Sequence, residues 1–202
     1  IDLFMRIAPE LYLKRLIVGG FEKVFEIARC FRNEGIDYSH NPEFTQIEFY
    51  WAYADYEDLI KLMEKFFEYL LPRIGMRMKF KYQDNIIDFT PPFPRKTFRE
   101  LLIEYIKLDI DDYPDQATLF AWAKKHKVEV TSRDGRGKIL DEIYKTFVRP
   151  KIIQPLFMID HPVELSPLAK RQADNPNYVE RMQLLAAGGF EMCNGFSELN
   201  DP

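Results

Sequence analysis

Between Val24 and Arg32 the chain alternates. Val24, Glu26, Ala28, Cys30 and Arg32 share one parity and Phe25, Ile27, Arg29 and Phe31 the other, the period-two signature of a strand. Beyond a turn-rich loop the alternation resumes, with Phe44, Gln46, Glu48 and Tyr50 on one face and Thr45, Ile47, Phe49, Trp51 and Tyr53 on the opposite, mostly apolar one. The two runs predict a hairpin whose apolar face packs and whose polar face is free for chemistry.

Helical patterns flank it. Pro9-Glu10-Leu11 opens a short helix through Leu11, Tyr12, Arg15 and Leu16 that Gly19-Gly20 end. Asp55 caps a second, running to about Leu71, with Leu59, Met63, Phe66 and Leu70 as its core stripe and Pro72 as its stop. Residues 78–89 read as extended with a turn near Asp84-Asn85, and Pro91-Pro92-Phe93-Pro94 punctuates the chain. Thr97-Phe98-Arg99-Glu100 is a capping box ahead of Leu101, Leu102, Tyr105 and Ile106. Two more helical stretches follow, at 116–125 and 139–148; the basic residues of the loop between them, Ser132-Arg133-Asp134-Gly135-Arg136-Gly137, read as solvated. Residues 152–159 and the block after Tyr178 return to strand character. Strands interrupted by a small helical insertion over 95–150, with hairpins in place of β-α-β units, predict an α+β fold, an antiparallel sheet flanked by helices.

Composition narrows the class. With 47% hydrophobic and 30% charged residues over 202 positions, the chain reads as globular, of one or two domains. It lacks the roughly 20-residue apolar run of a membrane span and any secretory signal pattern, so a cytoplasmic setting is expected. A net charge of −4 argues against a general nucleic-acid coat but leaves room for an RNA partner. Cys30 and Cys193 are far apart without metal-ligand spacing, and read as reduced thiols.

The hairpin carries the candidate chemistry. Arg32, Glu34, Glu48 and Tyr50 point toward one surface, with His40 and Asn41 in the loop: an arginine fork suits a phosphate or carboxylate, and glutamates accept from an amine. A solvated, salt-bridged outer face would show the same periodicity, and the pattern leaves both readings open.

Wording separates them. Phe31-Arg32-Asn33-Glu34-Gly35, His40-Asn41-Pro42-Glu43-Phe44-Thr45 and Glu48-Phe49-Tyr50 resemble motif 2 of class II aminoacyl-tRNA synthetases, most closely the lysyl-tRNA synthetases. Three further blocks match in the same order: 5–14 with its Ala8-Pro9-Glu10-Leu11, 161–169 with His161-Pro162-Val163-Glu164-Leu165-Ser166-Pro167, and 191–201 with Asn194-Gly195-Phe196-Ser197-Glu198.

The resemblance implies a class II catalytic fold that joins L-lysine to ATP as lysyl-adenylate and passes the lysyl group to tRNA(Lys). It implies Arg32 as the catalytic residue, bridging the α-phosphate and the lysine carboxylate. Glu34 would meet the adenine amino group, His40 the distal phosphates and Phe44 the adenine ring; Asn41, whose turn with Pro42 shapes the loop, and Glu191 complete the ATP set. Glu10 and Glu198, with Tyr50 nearby, would receive the ε-ammonium, Glu48 the α-amino group, and Asn194 the α-carboxylate, with Phe196 beside it. The Mg2+ ligands would be Glu191 and Gln183, the second an amide where relatives carry an acid and a source of no charge. Glu191 has the opposite parity to Asn194, so a bulge near Gly188-Gly189 is expected if both face one site.

Motifs 1 and 3 and the anticodon-binding domain would lie outside residues 1–202, which are expected to form part of a catalytic domain that is a homodimer in the full-length protein. Two alternatives remain: a lysyl-transferase paralogue that modifies a translation factor, and a non-catalytic synthetase-derived binding module. Tyr38-Ser39-His40 and Ala8-Pro9-Glu10 lean toward the tRNA enzyme.

Overall fold

The computed structural model describes residues 3–36 and 40–200, so Tyr38 and Ser39 of the loop and Asp201 of the last block lie outside the described residues. The chain divides into two compact units, one up to Ala54 and one from Asp55 onward.

In the first unit, helix α1 (Glu10–Val18) precedes strands β1 (Lys23–Phe31) and β2 (Glu43–Trp51). Gly20, at φ +97°, lets the chain leave the helix while Gly20 N–H and Phe21 N–H bond the carbonyls of Ile17 and Leu16. β1 and β2 pair antiparallel with Glu26 opposite Glu48 and Cys30 opposite Phe44, the parity read from the sequence.

The faces, however, are reversed. Ala28 and Cys30, on the face expected to be free, are fully buried, whereas Phe25 (68%), Ile27 (67%) and Ile47 (54%) of the apolar face are exposed. Residues 6–9 and α1 explain the covered side. Arg6 donates to Glu26 (2.6 Å) and to the Arg29 carbonyl (3.1 Å), and its own carbonyl accepts from Phe31 N–H, which ties this segment to β1. Charge pairing thus draws the amphipathic segment onto the polar face.

In the second unit, α2 (Tyr56–Arg73) starts with a reciprocal capping box between Asp55 and Asp58. Its buried stripe is Ile60, Met63, Phe67 and Leu71, and of the expected set only Met63 belongs to it. The stripe is set by an aromatic chain: Phe67 packs on Phe89 (5.0 Å), Phe89 on Phe93 (5.8 Å) and Phe93 on Phe157 (5.7 Å). Pro72 lies inside the last turn, where it forfeits a single i→i−4 bond; the helix ends one residue later, at Arg73, and Gly75 (φ +77°) turns the chain away past the Ile74 cap.

A small hairpin, β3 (Lys79–Tyr82) with β4 (Asn85–Asp88), leads to β5 (Arg95–Thr97), α3 (Phe98–Ile106), α4 (Gln116–Lys125), α5 (Arg136–Phe147), β6 (Leu156–Pro162), β7 (Tyr178–Ala186) and β8 (Phe190–Phe196). The last four strands form one sheet in the order β5-β6-β7-β8. It is antiparallel except at the β5 edge, where β5 runs parallel to β6 because the intervening helices form the crossover that parallel pairing needs. Those helices are part of the core: Leu101, Leu102, Leu119, Ile139, Leu140 and Ile143 bury with Met158 and Leu185 of the sheet.

α5 begins at Arg136, three positions before the expected start, and Arg136 is not solvated. It donates to the carbonyls of Tyr113 (3.1 Å) and Ile110 (3.0 Å) and to Glu164 (2.6 Å), which fixes the loop before α5. Gly137 permits this approach, since a Cβ there would stand 2.9 Å from the Glu164 backbone oxygen. Cys30 and Cys193 are both free thiols. Among the described residues no helix is long and apolar enough to cross a membrane.

Candidate active site

The hairpin brings Arg32, Glu34, His40 and Phe44 together. Arg32 follows β1, its N–H bonded to the Pro42 carbonyl (2.9 Å) across the base of the loop, and its guanidinium carbon lies 5.0 Å from the Phe44 ring centroid. Nε donates to the Ile7 carbonyl at 3.3 Å, and the terminal nitrogens are left for wider contacts, the nearest carboxylate being Glu34 at 4.0 Å. His40 Nε2 stands 3.8 Å from the other Glu34 oxygen. A depression lined by Glu34, Gly35, Ile36 and His40 lies beside them. Distances of this length, between exposed groups, leave both the guanidinium and the carboxylate with donors and acceptors to offer. Asn41 is exposed in the same loop.

Further along the same face, Glu48 accepts from Tyr50 Oη (2.8 Å) and Gln46 Nε2 (2.9 Å), so its carboxylate is oriented by two neutral donors. On α1, Glu10 Oε1 accepts from Lys14 Nζ (2.7 Å), and that ammonium also sits 5.4 Å from the Tyr50 ring centroid. An ammonium between a glutamate and a tyrosine face is the arrangement that a lysine side chain needs. Arg6, Glu26 and Gln46, which hold this face together, went unassigned in the sequence; only the cross-strand register shows that Glu26 opposes Glu48 and needs a cation.

In the second unit, β7 and β8 carry the remaining candidates. Gln183 pairs with Asn194 and Arg181 with Phe196, so these four share a face. The register then slips: Leu184 opposes Cys193 but Leu185 opposes Glu191, leaving Met192 as the extra residue. This is the bulge that the parity of Glu191 required, placed in β8 and not at the glycines, and it brings Glu191 onto the face of Asn194. Gly188 and Gly189 serve the turn itself: both have positive φ, and Gly189 lies under Arg149, whose Nε donates to its carbonyl (2.9 Å). Glu198 lies just past the strand, bridged to Ala169 of the 161–169 block.

Two anchored rows run across this face. In one, buried Ser166 accepts from Arg181 Nη1 (2.5 Å) and Arg181 Nε donates to Asn194 Oδ1 (2.9 Å). In the other, His161 Nε2 meets Gln183 Oε1 (3.1 Å) and Gln183 Nε2 donates to Glu191 Oε2 (2.5 Å). A second register slip, at Asp160 (φ +54°), turns His161 inward, where it is 2% exposed. Burial, with the nearby charge of Arg181, pushes its pKa down to about 3, so the imidazole is neutral. Desolvation raises the Glu191 carboxyl against the opposing pull of Arg181 and Arg149, and burial lifts the Cys193 thiol to about 12. A cavity of about 270 Å3 lies over this face, lined by Tyr144, Arg149, His161, Arg181, Gln183 and Glu191 among others. Tyr144 Oη is buried there without a hydrogen-bond partner among the described residues.

The donor set bears on magnesium. Gln183 turns its oxygen to His161 and its nitrogen to Glu191, and among the described residues no hydrogen bond reaches the other Glu191 oxygen, Oε1. Among the described residues no group of three or more histidines, cysteines, aspartates or glutamates could hold a metal ion.

The profile of tRNA synthetases class II (D, K and N) matches residues 2–202. The chain is similar to a lysine–tRNA ligase of Campylobacter jejuni subsp. doylei, 46% identical over 202 residues, all of this chain and 40% of that protein. The lysine–tRNA ligase of Thermosipho africanus is 48% identical over 202 residues, again all of this chain and 39% of that protein, and one from Dehalococcoides mccartyi is 46% identical over 201. The chain thus spans about two fifths of the length of these relatives. With the hairpin, the bulged β8 strand and their side chains in place, the chain belongs to the class II tRNA synthetase family of the D, K and N type.

Proposed function

We propose that the protein of which this chain is a part is a lysine–tRNA ligase, which activates L-lysine with ATP and transfers it to tRNA(Lys). The observation that supports this most is the face of the hairpin: Arg32 beside Phe44 and Glu34, and Glu48 oriented by Tyr50 and Gln46, an anion-binding fork and a cation-binding carboxylate on one strand pair.

In this reading a carboxylate oxygen of lysine attacks the α-phosphorus of ATP, the bond to the β-phosphate oxygen breaks, and pyrophosphate leaves. The step needs alignment and charge neutralisation more than a protein nucleophile. Arg32 contacts both the carboxylate and the α-phosphate, where negative charge accumulates. Phe44 stacks on the adenine, Glu34 accepts from its amino group, and His40 and Asn41 meet the distal phosphates. Glu48 pairs with the α-ammonium; Glu10 and Glu198, with Tyr50, pair with the ε-ammonium, whose burial without an anion would be prohibitive. Asn194 meets the α-carboxylate, with Phe196 alongside. Magnesium neutralises phosphate charge when bound, and Glu191, through Oε1, with Gln183 behind it, is the side chain that would hold it. A ribose hydroxyl of the tRNA then attacks the adenylate carbonyl and AMP leaves. The complete protein is proposed to be a cytoplasmic homodimer.

Calorimetry on the complete protein tests this reading. Lysine and ATP both bind if it is correct; a non-catalytic module descended from a synthetase binds neither. A protein that bound both and lysylated a translation factor but not tRNA would instead be the transferase paralogue.

A further inference from the structure

Asn194 offers a ligand either an oxygen or an NH2 group, and its two orientations look alike to the strand that carries it. Its neighbour removes the choice. A guanidinium has only N–H donors, so the 2.9 Å contact from Arg181 Nε must be to the amide oxygen, and Nδ2 with its two hydrogens is turned to the other side. The residue is exposed, so that NH2 group is presented as a donor.

Arg181 is itself fixed. It is across the strand pair, on the same face, one position pair from Asn194, and its Nη1 donates to Ser166 Oγ at 2.5 Å and to the Leu165 carbonyl at 3.3 Å. Ser166 is buried. The guanidinium therefore cannot follow the amide if the amide turns, and a turned amide would set NH2 against N–H, leaving both donors unsatisfied.

We propose that Arg181 is a positioning residue for the amino-acid carboxylate: bonded to Ser166 and Leu165, it holds the Asn194 amide with its NH2 group outward, so that the site accepts an anionic group at that point and disfavours a donor. The inference rests on the reading that Asn194 meets the α-carboxylate of lysine. It assigns to the Leu165-Ser166 segment the function of anchoring a specificity contact, beyond closing the sheet.

The test compares lysine with 1,5-diaminopentane, which keeps the ε-ammonium and lacks the carboxylate, as ligands of the complete protein. Replacing Arg181→Met frees the amide; lysine affinity is expected to fall roughly tenfold, the loss expected for a carboxylate hydrogen bond no longer preorganised. The affinity for 1,5-diaminopentane should stay within about twofold of wild type. Ser166→Ala, which keeps the arginine and loosens its anchor, should shift lysine affinity in the same direction by a few-fold, and carries the test if Arg181→Met does not fold. Equal losses for lysine and 1,5-diaminopentane would mean a structural role and overturn the proposal, as would unchanged lysine affinity in both variants. A wild-type protein that binds no lysine would overturn the functional reading beneath it, a result distinct from either.

Discussion

The hairpin of the first unit and the β6–β8 sheet of the second both carry polar candidates on one face, yet they hold them differently. On the hairpin, Arg32, Glu34 and His40 stand 3.8 to 4.0 Å apart and are exposed. On the sheet, Ser166, Arg181 and Asn194, and His161, Gln183 and Glu191, are joined by bonds of 2.5 to 3.1 Å that reach back to buried groups. Long contacts between exposed groups contribute little to stability and cost little to exchange for a ligand. Short bonds to buried partners fix geometry and make their own loss expensive. The loop end of the hairpin is adaptable and the sheet face preorganised, and substitutions should separate the two: activity without stability at Arg32, stability first on the sheet.

The largest effect is expected at Arg32. Arg32→Ala in the complete protein should lower lysine-dependent exchange of pyrophosphate into ATP by about 10²–10³-fold or more, while the thermal midpoint stays near wild type, because the residue is exposed. A large drop in the midpoint would put Arg32 with the structural group and break the contrast.

Next comes the turn that docks under Arg149. Gly189→Ala places a Cβ 2.3 Å from the Arg149 carbonyl oxygen at a φ of +76°, and should cost about 3 kcal/mol in denaturant unfolding. Gly188→Ala meets nothing nearer than 3.9 Å, and should cost only the backbone term, about 1 kcal/mol. Equal costs would show that the turn is not held against Arg149.

Asp160 gives the comparison a pH axis. Burial is the main cause of its rise from 3.8 to about 6, with Tyr56 Oη–H (3.3 Å) opposing it. Since the folded-state value lies above the unfolded one, its contribution is fully present below about pH 4 and is lost as the pH rises through about 6. Such a shift is worth at most about 3 kcal/mol, reduced by partial solvent access. Asp160→Asn keeps the acceptor for Tyr56 and tolerates the positive φ, so it should stabilise the protein by about 1–2 kcal/mol at pH 7.5 and by nothing at pH 4, measured by urea unfolding at both.

The smallest effect is on the hairpin again. Arg6→Ala removes a half-exposed ion pair to Glu26 and should cost about 0.5–1 kcal/mol, falling with added salt. A loss that persists in high salt would show the segment is held by packing instead.

The two regions also differ in how much of them the chain discloses. The strand parity of β1 and β2, the caps at Asp55 and Thr97 and the glycine stop of α1 are local features, set by residues two to four apart, and they were legible. The buried stripe of α2 was not, because Ile60 and Phe67 were chosen over Leu59 and Phe66 by an aromatic chain reaching to Phe157. Which hairpin face is covered depended on Arg6 finding Glu26, twenty positions away. The bulge could be demanded from the parity of Glu191, but its place at Met192 needed the β7 register. His161 and Arg181 gave no sign of their tasks, since one acts through a register slip and the other through a neighbour on an adjacent strand.

The most direct measurement is pyrophosphate exchange by the complete protein with lysine, aspartate and asparagine supplied separately, the three amino acids that the family covers. Carboxylates at Glu10, Glu48 and Glu198 predict exchange with lysine and background with the other two. Exchange sustained by aspartate or asparagine in place of lysine would contradict the account.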